Sequence, residues 1–179
     1  QAIDSGQVEA IVMNASGCGA MVKEYAHHLR HDARYAERAR RVVEKVVDVA
    51  ELLAPHAEAL RQRIAGRLPA RVAFHPPCTL QHWQPLRALT EKLLTNLGFS
   101  LQPFADSHLC CGSAGAYSVL HPEIAGELRD RKLAAIAAAQ PDMVLSANVG
   151  CIGHLQSGTG TPVRHWIEAV DEALRQQLV

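Results

Sequence analysis

Four times along this chain a short aliphatic run gives way to turn-forming residues and then, within a few positions, to cysteine. Residues 8–13 lead through Asn14-Ala15-Ser16-Gly17 to Cys18, and residues 71–75 through Pro76-Pro77 to Cys78. Residues 99–104 lead to Cys110-Cys111-Gly112, and residues 143–147 through Asn148-Val149-Gly150 to Cys151. Nearly continuous apolar runs of this length predict strands buried on both faces. Between them lie stretches of helical character: residues 20–31, 33–53, 58–64, 85–96 (opened by Pro85, ended by Gly98), 122–139 and 165–176. Strands alternating with helices imply an α/β fold: a mostly parallel sheet with flanking helices, joined by right-handed crossovers. In such a fold every cysteine falls beyond the carboxyl end of a strand, the edge where ligands bind.

Composition narrows the function classes. Apolar residues make up 48% of the 179, enough for a real core, and 18 basic side chains balance 18 acidic ones. A nucleic-acid binder would show a basic excess, so no nucleic-acid partner is expected. No apolar run is long enough to span a bilayer. The chain opens on Gln1, and a faint internal repeat relates residues 12–18 to 145–151 as strand, small turn, Gly-Cys, helix. The reading is a tandem duplication cut within its first copy: residues 1–65 finish copy one, and 66–179 form copy two, with a break at 66–69 between them.

Five cysteines cannot pair off completely, and with no leader peptide evident the setting is expected to be reducing. Cysteine there means packing, metal ligation or catalysis. Thirty-one residues separate Cys78 from Cys110, Cys111 is adjacent, and thirty-nine more precede Cys151, which opens a Cys-x-x-His turn with His154. Neighbouring thiolates such as Cys110 and Cys111 repel each other and do not both ionise near neutral pH without a cation between them. Thiolate-rich loops with small residues such as Gly112 are what iron–sulfur centres select, and a structural zinc is the main rival. His75, His82, His108 and His154 lie near the cysteine edge, where they could tune a centre through hydrogen bonds to sulfur. His27, His28 and His31 read as solvated, and His165 and Trp166 as capping and packing the last helix.

The pattern of Cys78, Cys110-Cys111-Gly112 and Cys151 resembles the cysteine-rich CCG domain of heterodisulfide reductases and their relatives. More closely, NASGCGAMVKEY (residues 14–25), HPPCTLQH (75–82), CCGSAGAYSVLHPEIAGELRDRK (110–132) and VRHWIEAVDEAL (163–174) resemble the carboxyl-terminal part of the iron–sulfur subunits of glycolate oxidases. The resemblance implies an electron-transfer component. Glycolate is oxidised to glyoxylate on a flavin held by partner subunits, and electrons pass through iron–sulfur centres toward a quinone-linked acceptor. It also implies a 4Fe–4S cluster on Cys78, Cys110, Cys111 and Cys151, with Cys18 serving the first copy. A ferredoxin-like domain upstream in the same polypeptide, a cytoplasmic location, and peripheral association with the inner membrane through the complex are further implications.

Two departures keep alternatives open. The family's terminal Cys-x-x-Cys is Cys151-Ile152-Gly153-His154 here and Cys18-Gly19-Ala20-Met21 in the earlier copy. A non-cubane cluster, a conventional four-ligand cluster, one carrying His154, or zinc all fit the residues. No Gly-x-Gly-x-x-Gly follows a strand, so the chain is not expected to oxidise glycolate alone. The readings from other classes are an assembly module, zinc-stabilised or metal-free, and a thiol reductase of the heterodisulfide type.

Overall fold

The computed structural model describes residue 3 and residues 5–64 and 68–175. Two parallel sheets carry the fold. The first pairs β1 (Ile11–Met13) with β2 (Val46–Asp48), Ile11 opposite Val46 and Met13 opposite Asp48. The second runs in the order β3 (Val72–His75), β4 (Met143–Ser146), β5 (Val163–His165), with His75 opposite Ser146 and Ser146 opposite His165.

Helices fill the crossovers. Before β3 these are α1 (Ser16–Lys23), α2 (Tyr25–His28), α3 (Ala36–Val43), α4 (Val49–Leu53) and α5 (Ala57–Ile64). After it come α6 (Arg87–Leu97), α7 (Ala116–Leu120), α8 (Pro122–Ala138), α9 (Val149–Gln156) and α10 (Trp166–Arg175). The α/β architecture with parallel strands and flanking helices is borne out.

The expected helix over 33–53 is a correction. It breaks into α3, β2 and α4, because Val46, Val47 and Asp48 pair with β1 instead of continuing the helix. The β-branched side chains of the two valines favour a pleated, buried surface over a helix. The expected strand over 99–104 reduces to a single bridge between Leu101 and Val72. Pro103 has no N–H with which to extend a ladder. The last helix, expected from residue 165, starts at Trp166, and residues 163–165 form β5, a strand the apolar runs did not signal. Similarly α6 starts at Arg87 rather than Pro85, since a π-helical turn over Thr79–Trp83 precedes it and Leu86 N–H closes back onto the Leu80 carbonyl. Gly98 ends α6 in the left-handed region, φ 99°, as a glycine C-cap should. The expected break at 66–69 lies partly, and the boundary at 65/66 wholly, outside the described residues.

Two local arrangements recur, once at each sheet. An eight-residue helix with Gly-Cys at its second and third positions follows β1 as α1 and β4 as α9. A last strand then turns directly into a capped helix in both. Asp48 accepts from Ala50 N–H at 2.9 Å and its own N–H donates to Glu51 at 2.8 Å. His165 Nδ1 accepts from Ile167 N–H at 3.2 Å and its N–H donates to Glu168 at 3.3 Å. Both are reciprocal caps of one design.

Alternation along the strands sends side chains into two cores. Val72, Phe74 and Leu145 face one that also takes Leu93, Leu94 and Leu97 of α6, Trp166 and Val170 of α10, and Ala57 and Ile64 of α5. Ala73, Val144 and Val163 face the other, with Ile136 of α8, Leu155 of α9, and two of the cysteines.

Candidate metal centre

Three chain segments converge beyond the ends of β3 and β4. Pro76 and Pro77 stop the β3 ladder and place Cys78 at the entry to the π-helical turn, half-buried. The loop before α7 supplies Cys110, half-buried, and Cys111, fully buried. Asn148, in extended conformation, starts α9 and puts Cys151 in its first turn, also buried. Cys111 and Cys151 thus belong to the second core, whereas Cys78, Cys110 and Cys151 line a cavity of about 770 Å³ that Gly17, Trp83 and Asn148 help to wall.

The four sulfurs follow one another in a row, Cys78 to Cys110 to Cys111 to Cys151, and each shifts the titration of its neighbours. The Cys111 and Cys78 thiols beside it pull Cys110 down to about 2. Cys111, helped by His75, holds Cys151 at about 5 against the opposing effect of burial. Cys78 and Cys111 are pushed up by their sulfur neighbours first and by burial as well, so their thiols stay protonated. Four sulfurs this close cannot all be anions on their own; a bound cation is what would let them. Two further donors aim at the row: Gly112 N–H at 3.3 Å from Cys110 Sγ, and the Asn148 side-chain amide at 3.8 Å from Cys151 Sγ. Gly112 has φ 94°, and a Cβ there would lie 2.3 Å from the Ala125 carbonyl oxygen, so only glycine lets the loop close on α8.

His75 is the unexpected member. It is fully buried at the end of β3, and neither ring nitrogen has a hydrogen-bond partner. Its ligand nitrogen and the sulfurs of Cys111 and Cys151 all lie within 4.8 Å of one another. An unpaired buried polar group costs about 1–3 kcal/mol, which an ion among these three atoms would offset.

The other residues singled out from sequence lie elsewhere. His154 turns its Nε2 to the Ala125 carbonyl at 3.0 Å, beneath Gly112. Cys18 is exposed on α1, although Gly17 before it reaches the cavity. His82 lines the cavity, with its Nε2 3.3 Å from the His108 carbonyl, while His27, His28 and His31 are exposed.

Lys132 is the residue that sequence reasoning missed. Only 2% exposed, it donates from Nζ to the Asp106 carbonyl at 2.5 Å and lies 5.6 Å from the Phe104 ring centroid. Burial lowers its pKa, and the charges of Cys111, Asp106, Cys78 and Cys110 oppose that. A signal was present in the chain: Lys132 falls in register with buried Ala125 and Ile136 on one face of α8.

Parallel strands that gather four thiols at their carboxyl edge make a cysteine-rich domain, and residues 72–156 match the family described as CCG, cysteine-rich domain. Along 98% of its length it is 51% identical to the glycolate oxidase iron-sulfur subunit of Escherichia coli (strain K12), covering 42% of that protein. It is 30% identical to the probable glycolate oxidase iron-sulfur subunit of Bacillus subtilis (strain 168), over 88% of this chain and 35% of that one. Lactate utilization protein A of Geobacillus thermodenitrificans (strain NG80-2) is 30% identical over 86% of the chain and 65% of its own length. The resemblance read from the motifs is borne out; the chain spans less than half of either glycolate oxidase subunit.

Proposed function

We propose that this chain is the cluster-bearing, electron-relaying part of a glycolate-oxidising complex. The observation that carries the reading is the row of four sulfurs from Cys78, Cys110, Cys111 and Cys151 at one sheet edge. These thiolates would hold the group, the Gly112 and Asn148 N–H donors would stabilise charge on sulfur, and Lys132 would supply a fixed positive charge from below. Bound there, a 4Fe–4S cluster supplies one-electron storage. Cys78 and Cys110 stand half-exposed beside an open cavity, which keeps the redox path to the surface short.

In this reading glycolate becomes glyoxylate on a flavoprotein partner, and the electrons continue toward a quinone-linked acceptor. Residues 1–65 are the remainder of a first cysteine-rich copy, with Cys18 its orphaned ligand; the matching Gly-Cys helices α1 and α9 support this. A ferredoxin-like domain lies upstream in the full polypeptide. The complex works in the cytoplasm or against the inner membrane; among the described residues no helix is long and apolar enough to cross a membrane.

Anaerobic purification with iron, sulfide and zinc analysis tests the reading. Brown protein with stoichiometric iron and sulfide, reduced on adding glycolate to the assembled complex, is expected. Cys111→Ser should empty the site of iron. Colourless protein with one zinc per chain would overturn electron transfer in favour of a zinc-stabilised module.

A further inference from the structure

We propose that His75 is a direct nitrogen ligand of the metal centre, the part that the Cys-x-x-His turn offered to His154. The proposal rests on the reading of this edge as a metal centre. A histidine kept in a core for structural reasons uses its ring nitrogens, and His75 uses neither, although it is 0% exposed. Its nitrogen and the Cys111 and Cys151 sulfurs all lie within 4.8 Å of one another, and neither ring nitrogen reaches hydrogen-bond geometry with any partner. Three donors gathered so closely on the core side are placed as ligands of one ion would be.

The backbone position is fixed. His75 pairs with Ser146 in the β3–β4 ladder, and Ser146 Oγ donates to the His75 carbonyl at 2.9 Å inside the core. A ligand on a strand end is held more firmly than one on a loop. His154 turns away from that group: its Nε2 meets Ala125 O at 3.0 Å, in the space that Gly112 leaves open, and among the described residues it is His75 whose nitrogen joins the Cys111 and Cys151 sulfurs. Sequence spacing favoured His154 because it is three residues from Cys151, but the helical turn carries its ring toward α8 instead. His75, three residues before Cys78, is turned inward by the β3 pleat and meets Cys111 and Cys151 from the core side.

Imidazole binds metal through a neutral lone pair, so a centre with this ligand carries one negative charge less than its all-thiolate counterpart. Its reduction potential is correspondingly higher.

The test uses the full-length protein in its complex, purified anaerobically from cells grown with ¹⁵N-histidine or natural histidine. Pulsed EPR of the reduced centre should show a nitrogen coupling that changes with the label, persists in His154→Ala and is lost in His75→Ala. Should His75→Ala fail to load metal, His75→Cys should restore loading without the coupling and with a lower midpoint potential. A zinc-loaded protein is read by zinc X-ray absorption, where a nitrogen scatterer lost in His75→Cys supports the assignment. A loaded centre without histidine coupling, or a coupling that survives in His75→Cys, overturns the assignment of His75 alone. Protein holding neither iron nor zinc overturns the metal centre beneath it.

Discussion

The backbone N–H of Ser16 donates to the carbonyl of Ala147 at 2.9 Å, fastening the start of α1 beside the first sheet to the residue that follows β4 in the second. Ser16 is bound on two other sides: its hydroxyl lies 2.9 Å from Thr79 Oγ1, and Gln84 Nε2 donates to its carbonyl at 2.9 Å. The seam between the two sheets therefore runs beside the cysteine edge, and Gly17, one residue on, walls the cavity.

Gln84 is buried and is the side chain that closes this seam. Gln84→Ala should remove this bond across the seam and destabilise the chain by about 0.5–1.5 kcal/mol. Urea denaturation followed by circular dichroism reads the loss as a lower midpoint at unchanged slope.

Gly112→Ala should be worse than its size suggests. The new Cβ would meet Ala125 O at 2.3 Å at a backbone φ of 94°, so the loop carrying Cys110 and Cys111 must shift off α8. Backbone strain of this kind costs about 1–3 kcal/mol, and displaced sulfurs lose their common target. Metal content per chain and thermal midpoint should fall together; full metal loading at an unchanged midpoint would contradict the close approach.

Lys132→Met should lower the reduction potential of the centre. A buried cation beside the cysteines stabilises the reduced, more negative state, and its removal takes that stabilisation away. A tenfold shift in the reduced-to-oxidised ratio corresponds to about 59 mV for a one-electron couple, well within a potentiometric titration. Lys132→Arg should stay near the parent value, which separates charge from the support Lys132 gives the Asp106 carbonyl.

Acid should loosen the same region. Burial lowers the pKa of His165 from its ordinary value of 6.5, against raising contributions from Asn14, Glu168 and Ala147. The folded chain thus resists a proton that the unfolded chain accepts. The stability tied to neutral His165 is fully present above pH 6.5 and is lost as pH falls below it toward the folded-state value. Denaturant midpoints at about pH 7.5 and about pH 5.5, either side of the ordinary histidine pKa, should differ less in His165→Asn than in the parent chain. An equal difference would remove His165 from the account.

Much of the chain from β3 onward could be read along the sequence. β3, α6, α8 and β4 follow their apolar runs and their Pro and Gly punctuation, because in each of them local propensity and burial agree. The errors cluster where they disagree. Val46–Asp48 looks helical by periodicity among charged neighbours, and only the presence of β1 makes a strand of it. β5 is three residues long and owes its state to pairing with β4. Short strands draw their stability from partners distant in sequence, which no local window contains.

The site divides the same way. The order of residues alone determined that Cys78, Cys110, Cys111 and Cys151 follow strand or loop ends on one edge of a parallel sheet, since connection handedness leaves little choice of side. Which nitrogen lies beside them, and that the buried lysine of α8 stands near them, only the tertiary structure decided. The direction of a side chain depends on strand pleat, helix phase and the packing of α8 against the cysteine loop. Those are set by contacts across scores of residues, so His154 and His75, equally near a cysteine in sequence, end on opposite sides of the question.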